Sequence, residues 1–283
     1  MPTSSPKIEH LRFSINNHGS DSFARVTTAA VTTAVVFVHG FGGHPVTTWT
    51  DFEHLIDMKV KKPEEWDVSD LYFYGYNSKG RSIDDSADEL ADFVKAVFPK
   101  ADLSAIGTPD APSELGLVRT YERLVLVGHS EGGVVIRWAV AIAGQRAKHS
   151  AQQAPILNAR LALFAPALFG FVPTGWLGVA AVISGVRRLI EVFIAHSPSG
   201  TEMKDKTFLM GVQEHTMTCY NESPKTPAYT AHILFGQNEQ VVVRRKYVQD
   251  CRHEPESGKD HFSICKPDFS YPRPLKVPFG DCP

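Results

Sequence analysis

From Leu124 to Gly133 the chain reads Leu-Val-Leu-Val-Gly-His-Ser-Glu-Gly-Gly. The first four residues form a continuous apolar run, the pattern of a strand buried on both faces. From Val134 to Ala143 the chain is again nearly all apolar, now at helix length. Ser130, inside Gly128-His129-Ser130-Glu131-Gly132, therefore falls where a strand must turn sharply into a helix. A serine hydroxyl is a weak nucleophile unless it is exposed, oriented and paired with a base. A tight strand-to-helix turn supplies the exposure, and the flanking glycines leave room for it. The helix opening at Glu131 brings its positive dipole end near any charge developing on a carbonyl oxygen. Attack by Ser130 on an acyl carbon is the chemistry this spacing serves. The bland competitor is an ordinary strand–helix turn that happens to hold a serine.

A second segment supplies the complement. Val36-Phe37-Val38-His39-Gly40-Phe41-Gly42-Gly43-His44-Pro45 is an apolar strand running into a glycine-rich loop. Such a loop can bring a backbone N–H close to a substrate carbonyl. The N–H groups of Phe41 and Glu131 are the expected oxyanion donors, and losing one such donor typically costs ~3 kcal/mol of barrier. His39 is read as structural, holding the loop by hydrogen bonds.

The base must be a histidine after the nucleophile if the order is serine, acid, histidine. Candidates are His196, His215, His232, His253 and His261. His232 lies inside the apolar run Ala231–Phe235, where its side chain has little freedom. His261 lies in Gly258-Lys259-Asp260-His261-Phe262-Ser263-Ile264-Cys265-Lys266-Pro267, a loop followed by a short helical start that suits a loop-borne base. His253 is the runner-up. For the acid, the loop after Ala231–Phe235 reads Gly236-Gln237-Asn238-Glu239-Gln240, and Glu239 is its carboxylate. Its role would be to accept the second imidazole N–H and fix the tautomer. Asp250 and Asp260 stay open. The earlier loop Ala165-Pro166-Ala167 offers no acid.

These residues need a scaffold. Val35–Val38, Leu71–Tyr74, Leu124–Val127, Leu161–Phe164 and Ala231–Phe235 read as strands. Ile83, Ala87, Leu90, Ala91, Val94 and Phe98 recur at helical spacing, with Pro99 as the stop. Strand and helix alternate, which predicts an α/β fold, a mostly parallel sheet covered on both faces. Phe169 to His196 interrupts the alternation. Phe169, Phe171 and Trp176 precede the apolar segment Leu177 to Val186, and this stretch is expected to be a small lid inserted into one domain spanning 1–283. The uncharged run from Gly170 to Val186 has 17 residues, interrupted by proline and glycine. That falls short of the ~20 apolar residues of a membrane span.

The balance of 29 basic and 31 acidic side chains, with no long basic run, argues against nucleic acid as a partner. The first residues lack a basic region followed by an apolar stretch, so a cytoplasmic location is expected if Met1 is the natural start. Cys219, Cys251, Cys265 and Cys282 form no CxxC pair, which argues against a zinc site. In a reducing compartment they would be free thiols, and an oxidising one would leave a bridge open.

Three separated motifs carry a resemblance. They are Val38-His39-Gly40-Phe41-Gly42-Gly43-His44-Pro45 through Trp49, Gly128 to Gly133, and Asp260 to Pro267. In this order they resemble the lipase-like serine esterase branch of the α/β-hydrolase superfamily, the branch holding the PGAP1-like and SERAC1-like proteins. The likeness covers roughly residues 33 to 268. It implies hydrolysis of carboxylic or lipid esters without a cofactor, by a triad mapped onto Ser130, Glu239 and His261. A small-molecule or lipid ester is the expected partner, with transient lipid-surface contact through the lid. Thioesterase, amidase and acyltransferase chemistry uses the same machinery, and a non-catalytic binding protein could keep the fold. Two departures stand out. Glu131 follows the nucleophile where many members carry an apolar residue, and Glu239 stands where Asp is commoner.

Overall fold

The computed structural model describes residues 8–13, 21–27, 29–57, 61–103, 118–150, 154–172 and 203–281. Its strands are β1 (Ile8–Phe13), β2 (Ser22–Thr27), β3 (Thr33–Val38), β4 (Ser69–Tyr74), β5 (Lys100–Asp102), β6 (Val118–Thr120), β7 (Arg123–His129), β8 (Ala159–Phe164), β9 (Ala231–Leu234) and β10 (Cys251–Arg252). Eight of them build one sheet in the order β1-β2-β4-β3-β7-β8-β9-β10, and β5 pairs with β6 apart from it. From β4 to β10 every pairing is parallel. β1 and β2 extend the β4 edge antiparallel. The main helices are α1 (Thr50–Asp57), α2 (Ile83–Val97), α3 (Glu131–Ala147) and α4 (Met203–Glu222).

The central strands are apolar along their length because both faces are covered. Phe37 and Phe73 are register partners and stack at 5.2 Å. Phe37 also meets Phe52 of α1 at 5.3 Å. Tyr72 and Tyr74 point to the opposite face, where Phe93 of α2 lies 6.4 and 5.2 Å from their rings. Helices therefore lie on both faces, as the alternation predicts. α2 starts at Ser82, whose hydroxyl accepts from Asp85 N–H at 3.0 Å, and buries the expected stripe of Ile83, Ala87, Leu90 and Val94.

Two features place the site. First, β4 flanks β3 on one side and β7 on the other, so the chain changes direction across the sheet there. A crevice opens at such a point, beyond the carboxyl ends of the strands. Second, α3 is fixed from below. Arg137 is fully buried, donates to the carbonyl of Tyr229 at 3.0 Å, and pairs with the buried carboxylate of Asp250. Asp250 also accepts the N–H groups of Ala231 at 2.9 Å and Tyr247 at 3.2 Å. This carboxylate, an open alternative for the acid, is engaged in bracing the scaffold.

Cys219 and Cys265 are free and buried, and Cys251 is disulfide-bonded, a pairing the sequence left undecided. Among the described residues no helix is long and apolar enough to cross a membrane. Of the expected lid, 173–196 lies outside the described residues and with it Trp176, Leu177 and His196.

Candidate active site

Ser130 stands between β7 and α3 with φ 54° and ψ −121°. A non-glycine residue in this region is strained, and it persists only where its surroundings over-determine it. Here the Ser130 N–H donates to the carbonyl of Phe164 at 3.1 Å, and its carbonyl accepts from Gly133 and Ala167, each at 3.1 Å. Gly132 shows why the motif needs glycine. A Cβ there would lie 2.3 Å from the Val38 carbonyl oxygen and 2.5 Å from that of His39. Gly128 is under a softer constraint, since its Cβ would first meet the end of the Ile136 side chain at 2.7 Å.

His261 and Glu239 meet Ser130 in one chain of contacts. Ser130 Oγ lies 3.0 Å from His261 Nε2, and His261 Nδ1 lies 3.1 Å from Glu239 Oε2. The other oxygen, Glu239 Oε1, accepts the N–H groups of Val241 at 2.8 Å and Val242 at 3.0 Å. With Glu239 as the acceptor, Nδ1 carries the imidazole proton and Nε2 is left to accept from the serine hydroxyl. Ser130 and His261 are each 4% exposed and Glu239 6%, so the chain is screened from solvent.

The acid and base loops are joined to each other. The N–H groups of Gln237 and Asn238 donate to the carbonyls of Glu256 at 2.8 Å and Lys259 at 3.0 Å. Gly236 makes this approach feasible, because a Cβ would lie 2.2 Å from the Lys259 carbonyl oxygen. Asp260, an open alternative for the acid, instead caps the turn that carries the histidine. It accepts from the N–H of Phe262 at 3.1 Å and from the N–H and hydroxyl of Ser263 at 2.9 and 2.6 Å. His253, the runner-up base, donates its N–H to the Ile233 carbonyl at 2.9 Å, and its ring lies 5.6 Å from that of His232.

The glycine-rich loop faces Ser130, and a Cβ on Gly40 would lie 2.9 Å from Ser130 Cβ. Among the described residues nothing accepts the Phe41 N–H, while Gly42 N–H donates to Ser78 Oγ at 2.9 Å. His39 is structural, as its sequence context suggests. Its Nδ1 donates to the Gly40 carbonyl at 2.8 Å, and burial pushes its pKa down to about 4, which keeps the ring neutral. Tyr76 stacks on this ring at 4.4 Å and donates its hydroxyl to the His39 carbonyl at 2.7 Å.

Three contributors were not legible in the motifs. Tyr76 and Ser78 clamp the loop from the segment between β4 and α2. His129 donates Nε2–H to the carbonyl of His261 at 2.8 Å. Burial first, and then the neighbouring His261, hold the His129 pKa down to about 3, with a smaller push from the Lys266 charge. The only sequence signal for His129 was its place beside the nucleophile.

Above Ser130 opens a cavity of about 350 Å³ whose walls include Phe41, Phe171, Val241, Phe262 and Lys266. Phe171, expected in the lid, thus borders the site, and its backbone bridges to Val242. Phe169 packs on Tyr247 with ring centroids 5.7 Å apart.

No protein-family model and no curated protein sequence matches the chain. Solved structures do. The carboxylesterase CesB (YbfK) from Bacillus subtilis is 12% identical, with 97% of this chain and 93% of that one covered and a TM-score of 0.52. Esterase B from Lactobacillus Rhamnosis is 13% identical over 84% of this chain and 67% of that one, with a TM-score of 0.48. At such identity the first of these likenesses speaks for the fold alone, and the sheet order, with its change of direction at β3, agrees with it. The chain has the α/β-hydrolase fold.

Proposed function

We propose that the protein is a serine hydrolase of carboxylic esters, a carboxylesterase or lipase-like enzyme working through Ser130, His261 and Glu239. One observation carries the reading: the contacts of 3.0 Å from Ser130 to His261 and 3.1 Å from His261 to Glu239, beneath an open cavity. Ser130 Oγ attacks the ester carbonyl as its proton passes to His261 Nε2. The oxyanion accepts from the N–H groups of Phe41 and Glu131. Glu239 stabilises the imidazolium and holds its tautomer. His261 returns the proton to the leaving alkoxide, which departs as the alcohol and leaves an acyl-enzyme. Water, deprotonated by His261, cleaves this acyl-enzyme to the acid and free Ser130.

The apolar walls Phe41, Phe171, Val241 and Phe262 suit the hydrocarbon of an ester. One domain, with 169–196 as its lid, fits the serine esterase branch that the three motifs resemble. The disulfide at Cys251 favours an oxidising compartment over the cytoplasmic location read from the N-terminus.

A fluorophosphonate probe on the purified protein, with p-nitrophenyl esters from acetate to palmitate, tests the reading. Wild type should label and turn over. Ser130→Ala should lose the label and lower kcat ~10⁶-fold. A Ser130→Ala variant that keeps a tenth of the activity overturns it.

A further inference from the structure

We infer that the cavity above Ser130 selects esters carrying an anionic oxygen group, a carboxylate or a phosphate, which the ammonium of Lys266 receives. The inference rests on the hydrolase reading and narrows its substrate class. None of the described residues lining the cavity is acidic, and Lys266 is the lining residue with a permanent charge.

Among the described residues that charge has no ion-pair or hydrogen-bond partner, and the carboxylates on its own segment are engaged elsewhere. Asp260 accepts two N–H groups and the Ser263 hydroxyl. Asp268 pairs with Lys259 at 3.4 Å and accepts from Ser270 and Tyr271. Glu239 lies beneath His261, with its oxygens taken by that ring and two N–H groups. Lys266 is exposed, so its ammonium is hydrated.

Its backbone is nevertheless fixed. Ile264 N–H donates to the Asp260 carbonyl at 3.1 Å and Lys266 N–H to that of Ser263 at 3.2 Å, closing the turn that begins at His261. Pro267, next in the chain, restricts the backbone of Lys266. The charge is thus held on the same turn as the candidate base, at the wall of a cavity otherwise lined by apolar and neutral polar groups. A neutral ester leaves it hydrated and idle. An ester with an anionic end lays its hydrocarbon on Phe171 and Phe262 and its anion at the ammonium. A single compact ammonium discriminates by charge and not by the bidentate geometry of a guanidinium, so carboxylate and phosphate share this chemistry. An exposed pair of this kind is weakened by salt.

The experiment compares matched pairs of esters. On the acyl side, mono-4-nitrophenyl glutarate is set against 4-nitrophenyl pentanoate. On the alcohol side, the butyrate ester of glycerol phosphate is set against that of glycerol. Lys266→Met should lower the anionic-to-neutral ratio of kcat/KM about fivefold at low salt in at least one arm, the scale of an exposed charge pair. Lys266→Glu should lower it further, Lys266→Arg should keep it, and high salt should erase the difference. The affected arm tells whether the anion belongs to the acyl or the alcohol part. Equal losses for both members of each pair, or unchanged ratios in both arms, overturn the inference. Binding separates it from the hydrolase reading. In a Ser130→Ala background, calorimetry with mono-butyl glutarate against butyl pentanoate should show tighter binding of the anion, lost in Lys266→Glu. That result, with no fluorophosphonate labelling of wild type, would sink the hydrolase and keep the anion site. Labelling of Ser130 without a charge preference in binding would do the reverse.

Discussion

The ring of His129 donates to the backbone carbonyl of His261 at 2.8 Å, bridging 132 residues of chain. The neighbour of the candidate nucleophile thereby anchors the loop that carries the candidate base. The two rings lie 4.8 Å apart, and burial keeps His129 neutral, so it anchors without adding a positive charge beside the base.

His129→Ala should therefore lower kcat far more than it changes KM. Misplacing a catalytic group by about 1 Å can cost on the order of 100-fold. His129→Gln, which keeps an N–H donor, should recover most of the loss. Steady-state kinetics on p-nitrophenyl butyrate, with circular dichroism to check folding, decides the matter. A loss confined to KM, or no rescue by glutamine, would refute the positioning role.

Gly132 and Gly211 make a contrast of the same substitution. At Gly132 a methyl would run into two backbone carbonyls, so the loop bearing Phe41 must move. Gly132→Ala should cost about 1–3 kcal/mol as overpacking and remove most activity. At Gly211, inside α4, no atom of the described residues lies within 4 Å of the added Cβ. Gly211→Ala should stabilise by about 0.5–1 kcal/mol through helix propensity, with activity unchanged. Urea midpoints for both variants check this, and equal midpoints would contradict it.

The site was more legible in the sequence than its supports were. β3, β7 and β8 announce themselves because strands buried on both faces are unbroken apolar runs. Ser130 follows from the strand–glycine–serine–glycine–helix order, and Glu239 and His261 from their loops. β1 and β2 escaped because His10, Arg12 and Arg25 interrupt their apolar residues. α4 escaped because its buried face, Val212, Thr216 and Cys219, includes a hydroxyl that is satisfied locally by donating to the Val212 carbonyl at 2.7 Å. Tyr76, Ser78 and His129 act through partners far away in sequence, and no local pattern reveals such pairings. Asp250 and Asp260 looked like spare acids until their backbone donors were seen.

Stability should fall as the pH drops below about 6.5. His39 and His129 have pKa values pushed down by burial to about 4 and about 3, from 6.5. Unfolded, they bind protons as pH falls below 6.5, whereas folded they stay neutral. The unfolded state then holds more protons, and stability drops with falling pH, by at most about 1.4 kcal/mol per pH unit for each such histidine. Urea unfolding should show this loss between about pH 6.5 and 4, steeper than in His39→Gln. A flat profile across that window would contradict the buried neutral state of these rings.

Phe171 is the residue of the expected lid that borders the cavity, and its role separates two readings of that segment. If it binds the acyl chain, kcat/KM should rise with chain length by at most about fourfold per methylene, from ~0.8 kcal/mol per buried CH₂, until the cavity of about 350 Å³ is full. Phe171→Ser should flatten that rise, costing butyrate and hexanoate esters more than acetate, and Phe171→Leu should keep most of it. If instead Phe171 serves only as core, its 7% exposure and its bridge to Val242 predict another outcome. Phe171→Ser would then lower Tm and reduce all esters alike, because the loop holding Glu239 against His261 would loosen with it. The chain-length profile and Tm of the two variants, measured together, distinguish these cases. A uniform loss across esters with a lowered Tm would reject the acyl-binding role.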